Sequence, residues 1–228
     1  MSTLETVLRP LVLPTTETKD DRLLLSPAEH DRAARYRRAA DRTAFIAGRA
    51  ALRRILADQL CTQPWRIEFG RYPCPACASV EHGPPSIASP DTSLAFSFSR
   101  SGHRALVAVS QSGPVGVDLE IVRTVDVNAI ARQCLSPREH TYMTRLPPEQ
   151  RQEAFRRAWV RKEAVTKACG VGVAADLTRV HVNPQELGPV TVRYRLGRGP
   201  GTWEVTDIDA GPGATAALAL PNFSKARF

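Results

Sequence analysis

The order of helix-like and strand-like segments is the feature that most constrains the fold of this sequence. Twice along the chain a helix-rich stretch is followed by a strand-rich stretch, a pattern typical of α+β proteins. We therefore expect an α+β fold of two related halves, residues 1–111 and 112–228, although no internal repeat is strong enough to prove duplication. The predicted helices occupy residues 26–60 (as two helices), 126–134, 136–145 and 148–168, and the predicted strands occupy 94–99, 104–110, 115–122, 178–182, 190–196, 202–208 and 214–220.

Composition limits the class of protein. The chain has 228 residues, enough for one large domain or two small ones, and no apolar run long enough to span a membrane. Its N-terminus lacks the features of a targeting signal, and its five cysteines are an odd set, so we expect reduced thiols and a cytoplasmic location. The net charge of +8 favours a polyanionic partner, which could be nucleic acid, an acidic protein or a phosphorylated cofactor, but it is also explained by solubility alone.

A Pro-, Ser- and Cys-rich segment, 71–92, is predicted to be a loop. It contains Cys74-Pro-Ala-Cys77 followed by His82, which suggests zinc. A structural zinc site needs four ligands, so Cys61 or His103 would have to complete it. Free thiols in a loop are the simpler expectation, and the zinc interpretation stays open.

Two carboxylates alternate with apolar residues in 115-VGVDLEIVR-123. A strand places Asp118 and Glu120 on the same face, with the apolar side chains on the other. For an isolated Asp-x-Glu, a solvated polar face is the ordinary explanation.

The predicted helix 148–168 favours a functional role for these carboxylates over a solvated polar face. Trp159, Glu163 and Lys167 are spaced by four and lie along one helix face, with Lys162 one residue away. The chain has four lysines against twenty-seven arginines, and an exposed pair with Glu163 would accept Arg equally well. Carboxylates that hold Mg²⁺ and a compact ammonium that holds phosphate would explain why lysine is kept.

GVDLE and WVRKEAVTK together resemble the two signature motifs of the 4′-phosphopantetheinyl transferases, in particular the longer, surfactin-synthetase-activating type. SPAEHDRAARY, LAFSFSRSG and GVGV resemble further family segments, so the likeness covers about residues 25–185. The resemblance implies a pseudo-dimer of two α+β halves in a monomeric enzyme. It also implies Mg²⁺ and coenzyme A at the site.

Individual roles follow from the same resemblance. Mg²⁺ would bind Asp118, Glu120 and Glu163, and phosphate oxygens would contact Lys162 and Lys167. The 3′-phosphate end of coenzyme A would contact Arg32. Other contacts with the nucleotide would come from Arg42, Thr43, Ser99 and Arg100. The chain departs from the family pattern where Arg100 replaces His, Ser97 replaces Asn, and Gly83-Pro84-Pro85 lacks a lysine that Arg71 or His82 would have to replace.

The implied reaction is attack of a carrier-protein serine on the β-phosphate of coenzyme A. It transfers the phosphopantetheine arm and releases adenosine 3′,5′-bisphosphate. The partner would be an acyl-, polyketide- or peptidyl-carrier protein, and neither nucleic acid nor a membrane is expected. Either Glu163 or, through water, Glu139 would be the base. In 121–146, Val125, Val127, Ile130 and Ala131 would form an apolar docking patch rimmed by arginines, namely Arg123, Arg132, Arg138 and Arg145.

Two other functions are alternatives. A basic nucleic-acid-binding module would explain the charge, but recognition motifs and stacking aromatics are lacking. A metal-dependent nucleotide hydrolase would share the carboxylates but would need a water-activating base and no docking face.

Overall fold

The computed structural model describes residues 6–196 and 201–222 of the chain. Its helices are α1 (Lys19–Leu23), α2 (Pro27–Ala34), α3 (Ala39–Gln59), α4 (Val127–Cys134), α5 (Pro137–Arg145) and α6 (Pro148–Ala168). Its strands are β1 (Thr6–Val12), β2 (Glu68–Arg71), β3 (Pro85–Ser89), β4 (Ala95–Ser101), β5 (Arg104–Ser110), β6 (Gly116–Ile121), β7 (Val190–Arg193), β8 (Thr202–Ile208) and β9 (Ala214–Pro221). None of these helices combines the length and apolar character needed to cross a membrane.

The first part of the chain builds a three-stranded antiparallel sheet in the order β1-β5-β4, with β2 and β3 forming a separate antiparallel pair. The long helix α3 buries Leu52 and Leu56 in a core that also contains Val107 and Val109 of β5. This packing is the reason that an amphipathic helix of 21 residues forms here.

The second part builds a four-stranded antiparallel sheet in the order β6-β9-β8-β7. Helix α6 packs on this sheet, and its Phe155 and Val165 share a core with Trp203 of β8. Gly116 lies so close to this helix that an added Cβ would stand 1.9 Å from the carbonyl oxygen of Ala164. Strand β6 and helix α6 are therefore held in direct contact, which brings their functional side chains together.

Strands β4 and β6 lie side by side where the two sheets meet. The hydroxyl of Ser97 accepts a hydrogen bond from the N–H of Val117 at 3.0 Å, and that of Ser99 accepts one from the N–H of Leu119 at 3.2 Å. Serine side chains of one sheet thus satisfy backbone donors of the other.

The α+β class is confirmed, and three local predictions are wrong. Residues 178–182 form no strand; a 3₁₀ turn at Leu177–Arg179 leads into irregular backbone. The segment 71–92 is not all loop, because β3 pairs with β2 and buries Ile87. The predicted strand 190–196 ends at Arg193.

Candidate active site

Asp118 lies on β6 and is almost fully buried, with 4% of its surface exposed. Its Oδ1 accepts hydrogen bonds from the Ser99 hydroxyl at 2.8 Å and from the Lys167 ammonium at 2.6 Å. Its Oδ2 is buried and has no hydrogen-bond partner among the described residues. A buried carboxylate oxygen without a partner is costly, and a bound cation would remove that cost.

Glu120 lies two residues further along the same strand face. Its Oε2 accepts a hydrogen bond from the Ser101 hydroxyl at 2.7 Å, and Arg123 approaches it at 3.8 Å. Ser101 was not predicted at the site. The alternation of serines at 97, 99 and 101 on β4 was the available signal, because strand periodicity puts all three on one face.

Glu163 on α6 completes the acidic group. It lines a cavity of about 300 Å³ together with Asp118 and Glu120, next to Trp159. Burial raises the pKa of the Glu163 carboxyl, the charges of Asp118 and Glu120 raise it further, and Lys167 opposes them. Three carboxylates thus share one cavity, but among the described residues their oxygens do not all lie within 4.8 Å of one another, so gathering them around one ion requires side-chain rotation.

Lys167 stands between this acidic cavity and a larger one. Its ammonium bonds to Asp118 Oδ1, and it also donates at 3.2 Å to the Ser99 hydroxyl and to the carbonyl of Val117. About a quarter of the side chain, 26%, is exposed. The same lysine lines a neighbouring cavity of about 800 Å³.

The larger cavity has a cationic wall. Arg32, Arg49 and Arg71 line it together with Lys167. Burial lowers the pKa of Arg49, and the positive charges of Arg32 and Arg71 lower it further, whereas Glu29 raises it. No role was predicted for Arg49 from the sequence. The available signal was its position on one face of α3.

Arg100, Arg42 and Thr43 are also predicted to contact the nucleotide of coenzyme A. Arg100 donates at 3.2 Å to the carbonyl of Gly102 and its guanidinium lies 5.9 Å from the Tyr36 ring centroid. Arg42 and Thr43 do not line the larger cavity, and Thr43 is buried. Their predicted contacts with coenzyme A stay predictions.

The structure does not place Lys162 at either cavity. Its side chain is fully buried, and its ammonium lies 2.6 Å from Glu139 Oε2 and donates to the carbonyls of Leu177 and Val180. These three partners occupy all three donors of the ammonium in this structure. The predicted contact of Lys162 with phosphate stays a prediction.

Glu139 is equally enclosed. Its Oε2 accepts from the N–H of Ser136 at 2.8 Å and its Oε1 from the N–H of Val182 at 2.8 Å, in addition to the pair with Lys162. Both oxygens are occupied at zero exposure. Glu139 therefore fits a structural role and not that of a base acting through water.

The predicted docking patch is smaller than the sequence suggested. Val127 and Ala131 are buried in the core, because α4 packs its apolar side on α6. What remains is a shallow apolar cavity of about 130 Å³ that adjoins Glu120 and Trp159. It is lined by Glu120, Ile121, Arg123, Val125, Ile130, Phe155, Arg156 and Trp159.

Comparison with known proteins gives a consistent result. The family model described as the 4′-phosphopantetheinyl transferase superfamily matches residues 114–220, which contain all three carboxylates and Lys167. The 4′-phosphopantetheinyl transferase HetI of Nostoc is 31% identical over 217 residues, covering 94% of this chain and 86% of that protein. A 4′-phosphopantetheinyl transferase of Bacillus subtilis is 26% identical over 213 residues, covering 92% and 90%. AcpT of Escherichia coli O157:H7 is 34% identical over 130 residues, covering 57% and 58%.

The α+β fold places the carboxylates of β6 next to Glu163 and Lys167 of α6, and the relatives are transferases. The chain is therefore a transferase. The chain belongs to the 4′-phosphopantetheinyl transferase superfamily, and the family resemblance carried by GVDLE and WVRKEAVTK is confirmed.

Proposed function

We propose that this enzyme transfers the 4′-phosphopantetheine arm of coenzyme A to a serine of an apo acyl-, polyketide- or peptidyl-carrier protein, in a reaction that depends on Mg²⁺. The serine oxygen forms a bond to the β-phosphorus, and the bond from that phosphorus to the bridging oxygen breaks. The products are a serine phosphodiester and adenosine 3′,5′-bisphosphate, and the serine proton passes to a base.

The placement of Lys167 is the observation that carries this proposal. Its ammonium is bonded to Asp118 in the acidic cavity while its side chain lines the cationic cavity. A pyrophosphate that spans the two cavities would meet the lysine at their junction. Phosphoryl transfer needs this kind of positioning and charge neutralisation more than covalent chemistry from the protein.

The acidic cavity fits Mg²⁺. Asp118 Oδ2 is buried without a partner among the described residues, and burial, together with the charges of Asp118 and Glu120, raises the pKa of Glu163. Hard carboxylate oxygens are the donors that Mg²⁺ prefers. Asp118, Glu120 and Glu163 would hold the ion, which when bound neutralises charge on the pyrophosphate.

The larger cavity is the proposed site for the nucleotide end of coenzyme A. Its volume of about 800 Å³ is within the range of small-molecule sites. Arg32, Arg49 and Arg71 line its wall and would pair with phosphate as planar forks, so they can replace the lysine missing from Gly83-Pro84-Pro85.

The proposed site is assembled from both parts of one chain. The arginines come from the part before residue 111, and the carboxylates from the part after 112. This division supports the pseudo-dimer of two α+β halves, 1–111 and 112–228, and a monomer that needs no second subunit to complete its site.

Glu163 is the proposed base for the carrier serine. It lines the acidic cavity, whereas Glu139 is enclosed by Lys162 and two backbone donors. If Glu163 both binds the ion and accepts the serine proton, the serine oxygen is held close to the phosphorus that it attacks.

The apolar cavity beside Glu120 is the proposed docking point for the carrier. Val125, Ile130 and Trp159 are partly exposed and offer apolar surface, while Arg123 lines the cavity and is exposed. Burial would hold an acidic helical partner, and the arginine charge would speed its approach.

A carrier-modification assay tests the proposal. The enzyme is incubated with coenzyme A, Mg²⁺ and a panel of apo carrier proteins, and intact carriers are weighed by mass spectrometry. We expect a mass gain equal to one phosphopantetheine on at least one carrier. Release of free phosphopantetheine with unmodified carriers would indicate a nucleotide hydrolase instead.

A further inference from the structure

The loop between β2 and β3 gathers three soft metal ligands at a distance from the acidic cavity. The Sγ atoms of Cys74 and Cys77 and a ring nitrogen of His82 all lie within 4.8 Å of one another. Cys77 Sγ and His82 Nε2 are 3.1 Å apart. Within residues 6–196 and 201–222 this is the only group of three Cys, His, Asp or Glu ligand atoms so closely gathered.

The backbone around the two cysteines is folded into a tight turn. The N–H of Ala78 donates to the carbonyl of Cys74 at 2.7 Å, and the N–H of Cys74 donates to the carbonyl of Ser79 at 2.8 Å. Ala78 has φ of 62°, a left-handed conformation that a residue with a side chain seldom adopts. The turn thus combines an unfavourable backbone conformation at Ala78 with two sulfur atoms that lie within 4.8 Å of each other.

The two cysteines of this turn differ in exposure. Cys74 is 2% exposed, whereas Cys77 is open to solvent.

We propose that Cys74, Cys77 and His82 bind one Zn²⁺ ion, with water in the fourth position. Zn²⁺ combines thiolate and imidazole ligands in a tetrahedron, a donor set that Mg²⁺ does not accept. Bond lengths of about 2.3 Å to sulfur and 2.0 Å to nitrogen place such ligand atoms roughly 3.5 Å apart. The observed 3.1 Å between Cys77 and His82 needs only a small outward shift. On binding, the two thiol protons leave to solvent.

Zinc at this position would fix one wall of the larger cavity. His82 is followed by Gly83, which is packed so tightly that an added Cβ would lie 1.8 Å from the carbonyl oxygen of Tyr72. The carbonyl of Gly83 accepts a hydrogen bond from Arg71 at 2.7 Å, and Pro84 touches Gly170 at the end of α6. The ion would thus hold the loop, and with it Arg71, in place. This effect on coenzyme A rests on the proposed function, whereas zinc binding itself does not.

The test measures metal directly. Untagged protein is purified under reducing conditions and washed with excess Mg²⁺ to clear the carboxylates. Zinc is then determined by mass spectrometry, and Co²⁺ is added to chelator-treated protein to look for a sulfur-to-metal charge-transfer band. The variants are Cys77→Ser and His82→Ala, both at accessible positions, with the exposed Cys61→Ser as the matched control.

We expect one zinc per chain and a thiolate band with Co²⁺ in the parent protein and in Cys61→Ser, and the loss of both in the other two variants. Zinc retained in Cys77→Ser and His82→Ala would overturn the assignment. Metal-free protein that gives no thiolate band with Co²⁺ would also overturn it, as would a disulfide between Cys74 and Cys77 in protein kept reduced. Because metal content is read without turnover, failure here is distinguishable from failure of the proposed transferase reaction.

Discussion

Lys162 and Lys167 belong to the same motif but have different environments in the structure, and substitution of Lys162 tests this difference. Lys162 lies 2.6 Å from Glu139, and both side chains have zero exposure. Burial lowers the pKa of Lys162, while the charge of Glu139 raises it, so the pair depends on close contact for its ionised state. Lys162→Met would leave the Glu139 charge buried without its partner.

The expected cost is large. Breaking a buried ion pair from one side costs roughly 3–5 kcal/mol. For a protein of this size each kcal/mol shifts Tm by about 2–4 °C, so the variant should melt about 6–20 °C lower. Glu139→Gln combined with Lys162→Met removes both charges and should recover much of the loss, because the two effects are coupled.

Urea denaturation and thermal melting measure this effect, with the exposed Lys19→Met as the matched control. We expect Lys19→Met to melt like the parent protein. If Lys162→Met were as stable as that control while the KM for coenzyme A rose, the buried pair would be refuted and Lys162 would return to the phosphate site.

Three further predictions concern the reaction. Lys167→Arg should lower kcat by roughly 100-fold, because a guanidinium cannot replace a compact ammonium between two cavities; parental kinetics would contradict this. Arg100→Ala should raise the KM for coenzyme A about tenfold with little change in kcat, and the difference should shrink with dephospho-coenzyme A; an undiminished difference would assign Arg100 to another group. Reversing Arg123 and Arg132 to Glu should raise the KM for the carrier and flatten its salt dependence without changing that for coenzyme A, and an unchanged carrier KM at low ionic strength would place docking elsewhere.

The central part of the fold could be predicted from the sequence because its signals are local. The predicted helix 136–145 is α5, which Ser136 and Glu139 begin with a capping box, and α6 runs from Pro148 to Ala168 as expected. Strand β6 follows from the alternation around Asp118, which also placed two carboxylates on one face.

Signals that depend on tertiary contact were misleading or absent. β1, β2 and β3 were missed because their residues become strands by pairing, β1 with β5 and β2 with β3, and β3 begins at a proline. Lys162 is next to Glu163 in the sequence, and this position could not reveal that the Lys162 ammonium contacts Glu139 in the core. The cationic wall was hidden for the same reason, since Arg49 and Arg71 are far apart in sequence.

The most direct test of the central claim is phosphopantetheine transfer by Asp118→Ala at saturating Mg²⁺, followed as the mass of the carrier. The exposed Asp58→Ala serves as control. Loss of groups that only support metal ligands costs about 10–100-fold, so loss of a ligand itself should lower kcat/KM by at least about 100-fold. The account predicts this loss for Asp118→Ala with a melting curve that still shows a folded protein, and parental rates for the control. Full transfer by Asp118→Ala in the presence of Mg²⁺ would contradict it.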